Sequence, residues 1–259
     1  MGIFARFGVS TDAYIAPDPL SPAAPSRSGA APAVVPPLSG HVYAQASAPP
    51  KKNALQIKLL ATLNHTSSAG IRNLDAASAA KTMVREDFYT KEGNFKSANK
   101  YSAKKAWSEE KTRLLASNSA VKQIRAVKGD RPAMVRAALA SKGHNCFDLS
   151  LIAQDCLRSS GKQAILGGTP DHVFVVVGAI EPGPMPKDMT KWPKDLAICD
   201  PWANIACLAK DYPEKFTEKM GKWDSKEKFI LDKDVQHLSP TSDQWLKRQL
   251  EGDKDVGDA

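Results

Sequence analysis

The stretch KGHNCFDLSLIAQDCL (residues 142–157), followed by DHVFVVV (171–177) and LAICDPWAN (196–204), decides how this chain is read. In the first, Leu149, Ile152, Ala153, Cys156 and Leu157 recur at helical spacing and give a helix one apolar face. Its N-terminus falls at Asn145 or Cys146, after a stop at Gly143, and Ser159–Gly161 ends it. The period then changes. QAIL (163–166), HVFVVVGAI (172–180) and LAICD (196–200) are short β-branched runs divided by Gly and Pro, which read as buried strands. A cysteine therefore opens a helix, a histidine opens a strand, and an aspartate closes the next strand.

Those three positions suit one chemistry. A thiolate is a nucleophile, and the N-terminus of a helix favours the charged form, so Cys146 is placed for attack. Its own backbone N–H offers one oxyanion donor. If the two strands are antiparallel neighbours, the start of one lies near the end of the other, and His172 meets Asp200 at one edge of the sheet. That is the arrangement in which a carboxylate orients a general base. Each residue also has a plainer reading: a packed cysteine, a structural histidine, an Asp-Pro turn. Their order at matching element ends favours the catalytic one. Candidates for the second oxyanion donor are Asn145 and Gln123. Trp202 either walls a substrate cleft or covers the sheet edge. His144 belongs to the loop, and Cys199 points away from Asp200 into the core.

Outward from this core, the N-terminal side is helical. NALQIKLLATLNH (53–65), NLDAASAAKTMVREDFY (73–89) and 102–127, as one long helix or two short ones, carry helical spacing. Asp130 caps a further helix with Pro132 in its first turn. Residues 1–52 hold half of the 18 prolines, many Ala and Ser, and few charges, which predicts a disordered arm. On the C-terminal side, the proline-rich 181–195 reads as a loop between strands. Helices follow at about 211–221 and 240–251, and 252–259 reads as a frayed tail. The expected organisation is the arm, then a single domain over 53–251, with a helical part (53–141) and an α+β core (142–251) built on a small, largely antiparallel sheet.

The bulk composition limits the function classes. The 259 residues are 42% hydrophobic, enough for one core, and no apolar run reaches the ~18 residues of a membrane span. The first residues lack a secretory signal peptide. The net charge is +8, but its lysines are spread over 91–128, 187–194 and 210–233 without a compact, aromatic-lined stripe, which argues against nucleic acid as the partner. An acidic partner protein or an anionic membrane surface suits the charge. The four cysteines show no disulfide or zinc spacing, and no metal or cofactor is called for.

The fragments NCFDLSLIAQDCLRSSGKQAILGG, DHVFVVVG and AICDPWAN, spanning about 143–204, resemble the core of the transglutaminase-like branch of papain-fold enzymes. The resemblance implies Cys146 as nucleophile, His172 as base and Asp200 as orienting acid. It also implies protease, glutamine deamidase or transglutaminase chemistry through a thioester. A Pro/Ser-rich arm without a signal peptide is similar to that of bacterial type III secreted effectors. That likeness implies delivery into a host cytoplasm, a host protein as substrate and a secretion chaperone for the arm. A non-enzymatic effector or adaptor, binding a partner through its helical segment, is the alternative.

Overall fold

The computed structural model describes residues 68–86, 99–127, 129–231 and 237–258; the expected arm at 1–52 and helix at 53–65 lie outside them. Helices α1 (Ala69–Val84), α2 (Trp107–Ala126) and α3 (Arg131–Ala140) precede the central helix α4 (Cys146–Ser159). Helices α5 (Tyr212–Asp224) and α6 (Asp243–Leu250) follow the first strands of the core. The class is α+β, as expected. The helix expected over 102–127 is one helix with its start displaced, because Lys100–Ser102 are taken up as strand β1. Asp130 caps α3 as its sequence predicts, the carboxylate accepting from Ala133 N at 2.9 Å.

The principal sheet has six strands, all paired antiparallel. They are β2 (Ala164–Thr169), β3 (His172–Val177), β4 (Gly183–Met185), β5 (Ala197–Asp200), β6 (Ile205–Leu208) and β9 (Lys254–Gly257), in the spatial order β4-β9-β2-β3-β5-β6. A small second sheet joins β1 to β7 (Lys228–Leu231) and β8 (His237–Leu238). Two expectations are corrected by this sheet. The residues expected to fray form β9, inserted between β2 and β4 with Gly167 opposite Val256. The loop at 181–195 contains β4, which pairs with β9 and covers that edge. Neither strand carries a clear apolar alternation in its sequence; both are held by backbone ladders at the side of the sheet.

Helix α4 is buried more completely than one apolar face predicts. Asp148, Ser150 and Gln154 are buried beside the apolar residues. Burial without partners would cost several kcal/mol per group, and each has one. Ser150 Oγ donates to Val173 O (3.0 Å), Gln154 Nε2 donates to Ala164 O (3.2 Å), and Arg125 pairs with Asp148 (2.9 Å). Two glycines stand where a neighbour comes too close for a Cβ, a backbone at Gly143 and side chains at Gly167. A Cβ on Gly143 would stand 2.8 Å from Ser117 Cα, so the turn before α4 lies directly on α2. A Cβ on Gly167 would meet Phe174 Cε2 at 2.8 Å, so the Phe174 ring lies across β2.

Candidate active site

Three local rules set the site. The first is the start of α4. Asn145 is its N-cap, with Oδ1 accepting from Phe147 N (3.0 Å) and Asp148 N (3.3 Å), while Asp148 Oδ2 accepts from Asn145 N (3.0 Å). This reciprocal box fixes the first turn. It makes Cys146 the first helical residue, with a backbone N–H that the cap does not take. Arg125 holds the same turn from α2: its guanidinium is 2.9 Å from Asp148 Oδ1, 3.4 Å from Asn145 Oδ1 and 4.1 Å from the centre of the Phe147 ring.

The second rule is strand register. Val175 stands opposite Cys199 and Val176 opposite Ile198. One step further, Asp200 comes opposite Phe174 and diagonal to His172, on the same face. Diagonal positions are far enough apart that only longer side chains meet across them, and here they do. His172 Nε2 donates to Asp200 Oδ2 at 2.8 Å. The third rule is the tight turn from β5 to β6, with Asn204 at φ 59°. It folds Ala203 N back onto Asp200 Oδ1 at 2.9 Å.

The carboxylate has one more partner. Tyr212, at the start of α5, donates its hydroxyl to Asp200 Oδ2 at 2.8 Å. Asp200 thus holds three donors while fully buried. Burial alone would raise its pKa, but the charge and hydrogen bond of His172, with Ala203 N–H and the Tyr212 hydroxyl, hold it below the usual carboxylate range. The imidazole shows the mirror image. Burial pushes it down, yet the Asp200 charge and hydrogen bond, and then Cys146 as a further hydrogen-bonding neighbour, raise it to about 10. Burial, and then the Asp200 charge, push the Tyr212 phenol well up.

With Nε2 committed to Asp200, Nδ1 is the nitrogen left for the thiol. Cys146 acts on the ring as a neighbour, but Nδ1 has no partner in full hydrogen-bonding geometry. The sulfur is adjacent without being aligned. The group is closed over: Cys146 is 5% exposed, His172 2% and Asp200 0%.

The other expected site residues fare differently. Asn145 reaches the site as the cap, with Oδ1 already occupied. Gln123 is on the exposed side of α2, two residues and so roughly 200° round the helix from Arg125; it is not brought to Cys146. Trp202 is fully buried, with its ring 4.8 Å from that of His172 and Nε1 donating to Asn99 Oδ1 at 3.1 Å. It backs the imidazole instead of walling a cleft. His144 is buried with Nε2 2.7 Å from Ala138 O, and Cys199 is buried in the core, where burial pushes its thiol up. Sequence reasoning missed Tyr212 and Arg125. Tyr212 opens a helix just before Pro213, a helix-start signal, but nothing local ties it to Asp200. Arg125 sits in the last turn of α2 with no distinguishing neighbour.

Among the described residues no three His, Cys, Asp or Glu side chains gather as a metal site, and no helix is long and apolar enough to cross a membrane. Comparison with protein-family models, curated proteins and solved structures finds no match.

Proposed function

We propose that the chain is a cysteine-dependent amide hydrolase, a protein glutamine deamidase or a cysteine protease, acting through Cys146, His172 and Asp200. The observation that carries this is the 2.8 Å contact of His172 Nε2 with the buried, triply held Asp200, which leaves Nδ1 toward Cys146. A structural histidine has no need of a carboxylate on one side and a thiol on the other.

The steps follow from these positions. The Cys146 thiol gives its proton to His172 Nδ1 and its sulfur attacks the amide carbon, and the Cys146 N–H lies at the helix N-terminus, where negative charge on the oxygen is favoured. The C–N bond breaks as His172 passes its Nδ1 proton to the departing nitrogen, leaving a thioester. Water then gives a proton to Nδ1 and attacks the thioester carbon. The C–S bond breaks, a carboxylate is released, and the Nδ1 proton returns to the sulfur, restoring the thiol. Asp200 keeps its charge throughout and fixes the ring. Deamidation and proteolysis differ only in whether the departing nitrogen is ammonia or a chain amine. The composition of residues 1–52 and the likeness to type III effectors support a secreted bacterial protein acting on a host protein.

The adaptor reading draws on one observation, the near-complete burial of Cys146. Alkylation with iodoacetamide, followed by peptide mass spectrometry, separates the two. The hydrolase reading requires Cys146 to react faster than Cys156, which is more exposed, and His172→Ala to remove that advantage. Slower labelling of Cys146 than of Cys156 in the folded protein sinks it.

A further inference from the structure

Four cations converge beside the triad from four different elements. Lys100 on β1 places Nζ 3.8 Å from the centre of the Trp223 ring and 5.3 Å from that of Trp202. Lys228 on β7 places Nζ 5.7 Å from Trp223. Arg85, just past α1, donates to Pro201 O at 3.2 Å, next to Asp200. Lys219 lies one turn along α5 from Phe216, whose ring is 5.7 Å from the His172 ring. The tryptophan that backs His172 therefore has positive charge gathered around it.

These groups feel one another. Burial, and then Lys228, Arg85 and Lys219, hold the Lys100 pKa well below the ordinary lysine value. Burial, and then Arg85, Lys228 and Lys222, lower that of Lys219. Asp200 acts on both in the opposite sense, which puts the cluster within Coulombic range of the triad. Positive charge gathered beside a site draws anions toward it. Lys219 itself makes no ion pair among the described residues.

We propose that Arg85, Lys100, Lys219 and Lys228 form an anion subsite beside the triad, and that the substrate is an acidic protein segment with a carboxylate side chain close to the amide that is cut. The substrate assignment rests on the hydrolase reading above; the subsite does not. Among the described residues the large exposed apolar side chains are Ile71, Leu115 and Val127, none of them aromatic, and with the spread of the remaining lysines this favours an acidic protein over nucleic acid.

Two measurements on the full chain test it. The first is the ratio of Cys146 alkylation rates with iodoacetate and iodoacetamide, divided by the same ratio in urea-unfolded protein. A net attraction of one unit charge at about 8 Å, in a medium of effective dielectric about 40, predicts roughly fivefold preference for the anion. The preference should fade at 1 M salt, where the screening length is about 3 Å, and in Lys219→Gln/Lys228→Gln. The second is calorimetric titration with hexaglutamate, with binding expected in the native protein and lost in the double variant. A ratio of one together with no hexaglutamate binding overturns the subsite. If Cys146 is inert to both reagents while hexaglutamate still binds through the lysines, the subsite stands and the hydrolase reading falls. If a thymidine hexanucleotide binds more tightly than hexaglutamate through the same lysines, the acidic-protein assignment is overturned.

Discussion

Replacing Tyr212 by Phe isolates one hydrogen bond in the buried network. The ring stays, packed against Phe174 and Phe216 with centroids 5.1 and 5.6 Å away. Only the hydroxyl that donates to Asp200 Oδ2 is lost. A hydrogen bond to a charged group contributes about 1.5–3 kcal/mol, and the carboxylate cannot recover it from water at this depth. With urea slopes of about 1–3 kcal/mol per molar, the unfolding midpoint should fall by about 1 M. The pH dependence identifies the partner. Because the pKa of Asp200 is depressed in the folded state, its contribution is full above the unfolded value near 3.9 and is lost as pH falls through the folded one. The gap between Tyr212→Phe and the native protein should therefore be constant from about pH 5 to 7 and narrow below about pH 4. His172 has the opposite sign. Its raised pKa makes its contribution full below about 6.5 and lost as pH rises toward 10, so both proteins should weaken on the alkaline side. Urea unfolding followed by tryptophan fluorescence measures all of this. A gap below about 0.5 kcal/mol at pH 7, under the range for a bond to a buried charge, would refute the network as described.

Two further outcomes follow from packing. Gly167→Ala should cost about 1–3 kcal/mol, because its methyl would enter the space of Val176 Cγ2 and Phe174 Cε2, at 2.7 and 2.8 Å; an unchanged thermal midpoint would show that the Phe174 ring gives way freely. Removing residues 252–259 should abolish cooperative unfolding by urea. It withdraws a strand from inside the sheet and also Asp258, which is 2.5 Å from Arg158. A truncated chain with the native midpoint would show that β9 is dispensable.

Cys146, His172 and Asp200 are legible in the sequence because each sits where an element visibly begins or ends. The Gly143 break marks the start of α4, Pro170 and Asp171 mark the start of β3, and Pro201 marks the end of β5. Those signals are local, and local chemistry sets them. What the sequence hides depends on contacts between distant segments. Nothing in Lys254–Gly257 resembles a core strand; its place comes from the open edges of β2 and β4. Tyr212 reaches Asp200 only because the β5–β6 hairpin returns α5 across the face that carries His172. Gln123 is a false donor candidate because its place on the α2 circumference depends on which side of that helix is covered, and α2 shows only a weak apolar stripe.

The position of β9 also constrains how the protein comes into being. Of the six strands it is the last in chain order, yet in space it stands second, between β4 and β2. During synthesis the other five leave the ribosome with a gap in the sheet, and the strand that fills it arrives after all of them. Pairing of strands distant in sequence is slow and leaves edges exposed meanwhile. His172 hangs on β3, whose neighbour β2 lacks its other partner until that moment. A nascent chain therefore carries the cysteine and the histidine before β9 completes the sheet that holds them.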